Sequence, residues 1–570
     1  MKSSIILLTL VISISAIAQR PRVNWGPEFK FQGGGNSFKV ILTDNTGIYI
    51  QETHIASKGF MIALPGSDVF RLSGTLVKLE KNMAERYRNN FDKELKGREF
   101  LNLFVFKEKI FLAATAYDKR EKMVNLEMGE IDKNTGVVGD WKTISSFPMD
   151  DKKDVVGIRL KGNSDSTRMI VVSVVQGKER NTYSVQEFDN MLNAVSTKTT
   201  ISNEFEPKTY VLEDVVYTRA KKIVLVGRVF EYREGKKKSD KYLDFVNYNI
   251  RLYDENGKQQ KEINTEASGQ WVTSAKLIQE EGHDIVFAAF YAKTKKGYTI
   301  DGMLLHRLDP ATGELLASFN KEINHSMLTD ADNTQGETPE EKKERERFEK
   351  RKDNSEGFSN LMTFRNIIHT KDGGLLIMAE DFRRYYITYD SYNSLRKRYE
   401  MRTDLIFKSG AILISKISVA GEWEWMQIVP KFQQEEYTVS SFLDETKYSL
   451  NRPFFDNHPS SNPGYSGFGL MQTEKNIHLI FNDNPKNATI TKPGSKVRRT
   501  IFFKESHCYA ITLDQKTGEI KRTRLFDNNS TPIAMPIHSS VIGNVLYVVG
   551  RDDRGLAKPR IAVAKIQFSN

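Results

Sequence analysis

The chain has 570 residues but only one cysteine, Cys508, so it excludes an internal disulfide framework and a cysteine-rich metal site. Its nine histidines stand singly, without the H-x-H or H-E-x-x-H spacing of a local zinc site. Neither a phosphate loop nor a dinucleotide-binding fingerprint occurs. Ser466 lies in a stretch close to G-x-S-x-G, but Phe468 occupies the position of the second required glycine. The sequence therefore predicts no catalytic, cofactor-binding or metal-binding residues.

Long apolar runs are confined to the N-terminus. Lys2 is followed by an almost wholly apolar stretch at 5–14 and then by the small-x-small motif AIA at 16–18. This order predicts a secretory signal peptide at 1–18 rather than a membrane anchor, because the apolar stretch is too short to cross a bilayer. We expect no transmembrane segment in the mature chain 19–570. The protein is expected in the periplasm, on the cell surface or in the medium, and the cleavage site resembles those of proteins exported by Bacteroidota.

A repeated pattern of strands runs through the rest of the chain. Eight alternating segments, called c, each end in an acidic or Asn/Gly turn, and each follows a segment b of β-branched or bulky apolar residues. The near-continuous apolar character of segments b predicts burial on both faces. The c segments are 74–82, 124–136, 183–193, 248–258, 302–313, 411–422, 508–518 and 560–570. The b segments are 47–52, 109–115, 169–175, 222–229, 284–290, 374–380, 476–481 and 545–550.

Two further strands complete each repeat. A strand a precedes each segment b across a tight polar turn, as antiparallel neighbours require, and a more polar strand d follows most c segments. Eight such units in the same order predict an all-β fold, a β-propeller of about eight four-stranded blades, with seven blades as the alternative. The eighth unit stops at strand c. We therefore expect a strand from about 25–32 to complete the last blade and close the ring.

Three c–d turns share the motif D-x-x-T-G, at 132–136, 309–313 and 514–518. Asp at the first position hydrogen-bonds its own turn, and Gly supplies a positive φ. With Trp141 at the end of one of them, these turns resemble the repeat of PQQ-like eight-bladed propellers, over the whole chain as a repeat rhythm. The resemblance implies the eight-bladed ring and offers envelope scaffolds as a functional model. The regular Trp of that family is missing in most blades and its adjacent cysteine pair is absent, so we expect no quinone and no other cofactor.

The longer connections fall on one face of the predicted ring, which we call the loop face because the b–c and d–a connections emerge there. We expect a single propeller domain over 19–570 with three insertions on this face. The insertion 326–358 contains a highly charged stretch predicted to form a helix, the insertion 381–405 is rich in Tyr and Arg, and the insertion 431–463 joins two blades. Loops on a rigid scaffold commonly carry function, whereas neutral loop drift is the alternative.

The insertion 381–405 lies between strands b and c of the sixth blade, which predicts an extended hairpin arm. Tyr and Arg are enriched at binding hot spots, and both combine an apolar body with a polar end. The arm is therefore a candidate contact for a protein partner or a glycan; the alternative is an arm folded across the neighbouring blade. The candidate binding residues of the arm are Arg383, Arg384, Tyr385, Tyr386, Tyr389, Tyr392, Arg396, Arg398 and Tyr399.

Basic residues also cluster in two loops of the seventh and eighth blades. Arg498 and Arg499 lie in the first of these loops, and Arg551 and Arg554 lie in the second. Adjacent blades would combine them into one basic sector that attracts an acidic partner, an anionic glycan or lipid headgroups, unless they are ordinary solvated loop charges. The net charge of +11 would also permit nucleic acid, but we expect none for an exported chain.

These features favour an exported propeller that acts as a binding scaffold, through its loop face, for a protein partner in the cell envelope. One alternative is a glycan-active hydrolase or lyase, which would place two or three carboxylates with Arg and Tyr at the mouth of the central channel. A non-catalytic glycan-binding protein is another. A channel mouth lined with apolar and neutral residues would favour the scaffold.

Overall fold

The computed structural model is an eight-bladed β-propeller. Seven successive stretches of the chain each form an antiparallel sheet, in which the first strand of the blade pairs with the second, the second with the third and the third with the fourth. In the eighth blade the two short strands at the inner edge both pair with the next strand, and the outer strand comes from the N-terminus. The predicted fold class is thus confirmed, with eight blades rather than seven. The structure describes residues 21–30, 37–57, 70–151, 154–163, 165–195, 201–218, 220–234, 241–265, 271–280, 282–293, 299–323, 358–359, 362–394, 397–439, 454–455, 462–492, 495, 497–552 and 559–568.

All eight predicted b and c segments form strands. Two N-terminal strands are β1 (Arg22–Trp25) and β2 (Phe29–Lys30). Blade one contains β3 (Ser37–Asp44), β4 (Gly47–Ser57), β5 (Phe70–Leu79) and β6 (Glu85–Asn90). Blade two contains β7 (Glu99–Phe106), β8 (Lys109–Asp118), β9 (Met123–Ile131) and β10 (Val138–Pro148). Blade three contains β11 (Val155–Gly162), β12 (Arg168–Gln176), β13 (Asn181–Asp189) and β14 (Ile201–Phe205). Blade four contains β15 (Tyr210–Tyr217), β16 (Ile223–Glu234), β17 (Lys241–Tyr253) and β18 (Gln259–Asn264).

The second half of the ring follows the same order. Blade five contains β19 (Trp271–Gln279), β20 (Ile285–Ala292), β22 (Gly302–Leu308) and β23 (Leu315–Glu322), while the short β21 (Thr299–Ile300) pairs with β24 (Phe358–Ser359). Blade six contains β25 (Met362–His369), β26 (Leu375–Asn393), β27 (Arg398–Ile417), β28 (Trp423–Val429) and β29 (Gln433–Val439). Blade seven contains β30 (Gly469–Gln472), β31 (Asn476–Asp483), β32 (His507–Asp514) and β33 (Ile520–Asp527). Blade eight contains β34 (Ile533–Ala534), β35 (Ser540–Ile542), β36 (Val545–Asp552) and β37 (Arg560–Gln567). Single turns of 3-10 helix occupy Pro485–Asn487, Phe503–Glu505 and Pro536–His538.

The N-terminal strands close the ring, as the sequence predicted. Both β1 and β2 pair antiparallel with β37, the last strand of the chain, and so form the outer strand of blade eight. The closing segment begins three residues earlier than expected, at Arg22. Trp25 packs edge-on against Phe526 of blade seven, with ring centroids 5.3 Å apart. The closure therefore adds a packing contact to the hydrogen bonds that remove the open edge.

Each of the eight interfaces between blades contains its own cluster of buried apolar side chains. Strand β20 is buried along its whole length, as expected for a b strand packed between two neighbouring blades. The three D-x-x-T-G turns have one geometry: each Asp carboxylate accepts two backbone N–H groups and the Thr hydroxyl, and each Gly has a φ of 70–75°.

Within the described part of the chain, no helix is long and apolar enough to cross a membrane. The predicted signal peptide at 1–18 and the predicted charged helix of the insertion 326–358 lie outside the described residues. The sequence also predicts b–c loops at 53–72 and 230–246; their described parts, 53–57, 70–72, 230–234 and 241–246, are instead extensions of the strands β4, β5, β16 and β17.

Candidate binding surface on the loop face

The predicted arm is present as a continuation of two strands of blade six. Strands β26 and β27 remain paired from Leu375 with Ile417 in the blade to Asn393 with Arg398 at the tip. A register shift just after Glu380 marks the point where the arm leaves the blade. Bulges of this kind bend a strand and increase its twist.

The arm has a three-stranded root and a two-stranded tip. In the blade, β27 pairs with β28 through Ile412–Ile417, whereas in the root it pairs with β29 through Thr403–Ser409. Among the described strands, β26 and β27 alone continue beyond Thr403 towards the tip. The insertion 431–463, expected only as a loop, thus begins with a strand that stiffens the arm.

The two faces of the tip differ in character. Since side chains alternate along a strand, Tyr392 shares a face with its cross-strand partner Tyr399 and with Met401. These three residues are 55%, 72% and 78% exposed, and the two tyrosine rings meet edge-on at 5.3 Å. We call them the apolar tip. The opposite face carries the pairs of Arg398 with Glu400 at 2.8 Å and of Arg402 with Asp404 at 3.1 Å.

A buried ion pair fixes the root of the arm. The Lys431 ammonium donates to Glu380 at 2.6 Å and to the Ser409 hydroxyl at 2.9 Å, and both charged side chains are fully buried. Burial by itself raises the pKa of Glu380, but Lys431 and Arg365 outweigh this and hold it at about 2. A pair of this kind specifies one geometry, because separating its members would leave a buried charge without a partner. The direction of the arm is therefore set at its root.

The root also contacts the neighbouring blade. Gln434 donates its backbone N–H to the carbonyl of Thr500 at 3.0 Å, and Thr500 donates in return to Phe432 at 2.9 Å. The Arg499 guanidinium donates to the Gln434 side chain at 3.1 Å. The arm and the basic loop of blade seven, which the sequence presented as separate features, are thus parts of one surface.

The buried Asp483 carboxylate holds the basic loop of blade seven in place through hydrogen bonds. Asp483 accepts from Arg522 at 2.6 Å, from Asn487 at 2.8 Å and from Thr500 at 3.1 Å. Residues of the same loop line a cavity of about 430 Å³, which we call the cleft. Its basic rim is formed by Lys486, Arg498 and Arg499, and the rest of its lining by Asn484, Pro485, Thr500, Ile501, Phe502, Glu505 and Ser506. Phe502 is 72% exposed, so an aromatic side chain borders the basic rim.

The surface continues towards blade eight. Lys504 lies 3.4 Å from Asp552, the residue after Arg551 at the end of β36. The loop of blade seven therefore contacts the arm through Arg499 and blade eight through Lys504, five residues further along the same loop. We call this whole area the arm–cleft surface.

The predicted site residues do not all have the same environment. At the root, Arg384 donates to the Tyr386 hydroxyl at 3.1 Å, and the Lys408 ammonium lies 5.6 Å from the centre of the Tyr385 ring. Arg383 lies 3.8 Å from Asp381. These groups contribute to the structure of the arm, whereas Tyr392, Arg398 and Tyr399 are exposed at its tip. Tyr389 is 40% exposed and donates to Asp404 at 2.6 Å. Arg396 and Arg554 lie outside the described residues.

Sequence reasoning missed Met401, Phe502 and Gln434. The alternation of side chains along β27 places Met401 on the same face as Tyr399 once the register of the hairpin is known. In the sequence, Met401 could have been noticed as an apolar residue within a polar stretch. Phe502 follows the basic run directly in sequence. The role of Gln434 had no local signal, because it depends on a contact with Thr500, 66 residues further along the chain.

Two side chains with catalytic potential in the sequence, Ser466 and Cys508, are both buried. Ser466 lies in a loop whose backbone N–H groups bind the Glu435 carboxylate, with distances of 2.9 Å from Gly464 and 2.6 Å from Tyr465. Cys508 is buried, and burial raises the pKa of its thiol. Among the described residues, no group of three or more His, Cys, Asp and Glu side chains could hold a metal ion.

The insertion 431–463 has a second contact, far from the arm. Phe454 packs among buried residues of blades three and four, and its carbonyl accepts a hydrogen bond from Arg159 of β11. Phe455 approaches Gly157 on the same strand. Blade five lies between these two blades and blades six and seven, which flank this insertion in sequence.

Comparisons with known proteins give remote likenesses only. No protein-family model matches the sequence, and no curated protein matches it. Among solved structures, the polysaccharide lyase Uly1 is similar over 82% of this chain and 89% of that chain, with 11% identity and a TM-score of 0.32. The β-propeller domain of the Trilobed protease from Pyrococcus furiosus is similar over 71% and 97%, with 13% identity and a TM-score of 0.27. The α-L-arabinanase of Penicillium chrysogenum, complexed with arabinobiose, is similar over 63% and 92%, with 11% identity and a TM-score of 0.29. Propellers support many unrelated activities, so such likenesses leave the function open.

Proposed function

We propose that this protein is an exported binding scaffold that holds a protein partner of the cell envelope on its arm–cleft surface. The observation that carries the proposal is the apolar tip, where Tyr392, Tyr399 and Met401 are 55–78% exposed on one face of a hairpin whose root is fixed by buried contacts. Exposed aromatic and Met side chains grouped on a rigid element are characteristic of binding surfaces.

The composition of the surface indicates the chemistry of the partner. The apolar tip would occupy an apolar groove, because Tyr buries a large area with few rotatable bonds and the flexible thioether of Met adapts to an irregular apolar surface. The basic rim of the cleft, formed by Lys486, Arg498 and Arg499, would face acidic residues of the partner and increase the rate of association. A partner with an apolar groove bordered by acidic side chains fits both features.

Export and the resemblance to PQQ-like propellers form part of this proposal. The leader at 1–18 supports transfer across the inner membrane, and envelope scaffolds provide the functional model for an eight-bladed ring with D-x-x-T-G turns. Fractionation of cells that express the chain with and without 1–18 tests the compartment. Retention of the full chain in the cytoplasm would contradict this part of the proposal.

The binding proposal is tested with a matched pair of variants. One changes the apolar tip (Tyr392→Ser, Tyr399→Ser, Met401→Ser); the other removes exposed apolar side chains from blade five (Leu315→Ser, Leu316→Ser), which are 46% and 58% exposed. Partners captured from envelope extract are identified, purified and titrated against each form. Because a central anchor typically contributes 1–2 kcal/mol or more, the tip variant should bind at least about tenfold more weakly, with the blade-five variant unchanged. Equal affinity of all three forms would refute a binding role for the tip.

The glycan-active alternative has a separate requirement. Glycosidases of the common type need two carboxyl groups on either side of the scissile bond. On the inner strand β15, Glu213 and Asp214 are both paired with cations, Glu213 with Arg228 at 2.5 Å and Asp214 with Lys161 at 3.1 Å. A glycan array with the wild-type protein, followed by a reducing-end assay on any hit, would identify this activity. Product release from a hit would replace the scaffold proposal.

A further inference from the structure

A second cavity opens on the loop face of blades one to three, whereas the arm–cleft surface belongs to blades six to eight. Its volume is about 870 Å³, within the range of about 300–1,000 Å³ that is typical of small-molecule pockets. The lining comes from the connection between blades one and two, from the loop-face ends of β5, β8 and β9, and from residues around the start of β11. We call this cavity the blade-two pocket. Side chains of three blades can therefore meet one ligand there.

The connection between blades one and two forms the charged wall of the pocket. Phe91 and Leu95 are four residues apart, and both are buried in the core between these blades. The backbone N–H of Leu95 donates to the carbonyl of Phe91 at 2.9 Å, so the two side chains lie on one side of a helical turn. Lys93 and Lys96 are exposed and line the pocket. The apolar pair thus fixes the wall that presents the two lysines.

The Asp92 carboxylate on this wall is oriented by one of its oxygens and leaves the other available. The Ser73 hydroxyl donates to Oδ1, and the Nε2 atom of His54 lies 3.3 Å from the same oxygen. Within the described residues, no group hydrogen-bonds to Oδ2. The Asp92 side chain is 37% exposed and lines the pocket. Its second oxygen can therefore accept a hydrogen bond from a ligand.

Two arginines of the lining are held in place by the protein. The Arg71 guanidinium donates to two backbone carbonyls of the connection. Arg98 lies 2.5 Å from Glu127 and 4.3 Å from the centre of the Trp141 ring, so a carboxylate balances its charge. In the part of the chain that the structure describes, neither Arg71 nor the two exposed lysines of the wall form an ion pair. These three cations can therefore donate to a ligand.

The lining that blades two and three contribute is mostly apolar. Val124 of β9 lies there with Met149, Val155 and Val156. Tyr117, near the end of β8, adds an aromatic ring that is 40% exposed. The pocket thus combines a charged wall with an aromatic ring and an aliphatic patch.

We propose that the blade-two pocket binds a neutral oligosaccharide. Three carboxylates of the lining, Asp92, Glu99 and Asp154, would repel an anion, and the arginines and lysines would repel a cation. A sugar hydroxyl avoids both penalties, because it can donate to a carboxylate and accept from a cation. The apolar face of a sugar ring would pack on Tyr117.

The density of charged groups favours a sugar over an extended peptide. Seven of the fourteen lining residues are charged. A peptide backbone offers one donor and one acceptor per residue, which would leave several of these groups desolvated without a partner. A sugar carries a hydroxyl on most of its carbon atoms and can satisfy more of them. This site does not depend on the proposed scaffold function, which uses the arm–cleft surface.

The test is titration calorimetry of the mature chain with neutral tetrasaccharides of glucose, mannose, xylose and galactose. The charged probes are the tetramers of galacturonic acid and of glucosamine. At least one neutral probe should bind, at least about tenfold more tightly than either charged one. Tyr117→Ala should weaken that binding at least about tenfold, because it removes the ring on which the sugar packs. The matched control is Tyr232→Ala in blade four, where the tyrosine is 41% exposed, and it should bind like wild type.

A second variant and thermal unfolding separate binding from folding. Asp92→Asn should also weaken binding at least about tenfold, because an amide N–H₂ in place of Oδ2 cannot accept from a hydroxyl. The bound tetrasaccharide should raise the Tm of wild type and of Tyr232→Ala more than that of either pocket variant. The apolar-tip variant should bind the sugar like wild type, so failure of the scaffold proposal would leave this result unchanged.

Three outcomes would overturn the proposal. One is failure of all four neutral tetrasaccharides to bind at millimolar concentration. Another is equal binding by Tyr117→Ala and Tyr232→Ala. The third is capture of an envelope protein that Tyr117→Ala abolishes, with no sugar bound, which would assign the pocket to protein recognition.

Discussion

His369 of blade six bonds to Glu280 and Asp284 of blade five, and we call these three residues the histidine clamp. The contribution of the clamp to stability should depend on pH. The His369 ring donates to or accepts from two carboxylates, with Nδ1 3.0 Å from Glu280 and Nε2 3.0 Å from Asp284. It also stacks on His283 at 4.4 Å, and Asp284 is paired with Arg307. With a carboxylate at each nitrogen, the doubly protonated imidazolium is the form that satisfies both contacts.

The pKa directions follow from the contacts. Burial would lower the pKa of His369, but its hydrogen bonds with Asp284 and Glu280 outweigh burial and raise it above the ordinary value of 6.5. Burial would raise the pKa of Asp284, but hydrogen bonds from His369 and Arg307 lower it below the ordinary 3.8. The contribution of His369 is complete below pH 6.5 and is lost as the pH rises through its folded-state pKa. That of Asp284 is complete above pH 3.8 and is lost on acidification, so the clamp is strongest between these values.

The loss of stability expected on removal of the His369 imidazole follows from how exposed its two carboxylate partners are. Glu280 is 39% exposed, so its bond contributes about 0–1 kcal/mol, as surface ion pairs do. Asp284 is 8% exposed, and a buried hydrogen bond to a charged group contributes about 1.5–3 kcal/mol. The variant His369→Gln should therefore lose about 2–4 kcal/mol near pH 5.5. With an unfolding entropy of about 1.2 kcal/mol per kelvin for 570 residues, this corresponds to a Tm lower by about 2–3 °C.

The assay is the Tm of wild type and His369→Gln between pH 5 and pH 9. The difference should be largest near pH 5.5 and should shrink towards pH 9. His507→Gln is the matched control, because His507 faces the 40% exposed Asp527 at 3.8 Å and should contribute little. A Tm difference that stays constant over the whole range would refute the reasoning, since it would show that the charge of His369 plays no part.

Three further predictions concern closure, turns and the thiol. Trp25→Ala should cost about 2–3 kcal/mol, measured by urea unfolding, because it removes the contact with Phe526 across the closure; an unchanged midpoint would contradict that contact. Asp514→Ala should cost about 1 kcal/mol and Asp514→Asn less, because the amide keeps an acceptor for the two N–H groups of the turn; equal costs would argue against hydrogen bonding there. Cys508 should react with a thiol reagent only after unfolding, and rapid labelling of the native protein would show that the thiol is not buried.

The part of the fold that the sequence revealed is the part that local patterns determine. The b strands are read from continuous apolar runs and the turns from Asp132, Asp309 and Asp514, because each turn is satisfied by residues within five positions. The number of blades and the closure follow by counting these units. The arm was predictable for the same reason, since a long segment between paired strands most simply continues their pairing.

The candidate sites depend on contacts that no local pattern contains. The arm meets the basic loop of blade seven through Gln434 and Thr500, and Phe454 meets Arg159 at a separation of 295 residues.

The closure of blade eight has a consequence for the order of folding. The register of Arg22 with Gln567 joins a strand from the start of the chain to one from its end, so almost the entire chain forms the loop that must be closed. Loop-closure entropy grows with length, and contacts of such high sequence separation form slowly. Blades one to seven can assemble from neighbouring segments as the chain emerges, whereas β1 must wait until β37 exists. We therefore expect completion of the ring to be the last step of folding, with the edge of β37 exposed to pairing with another chain until then.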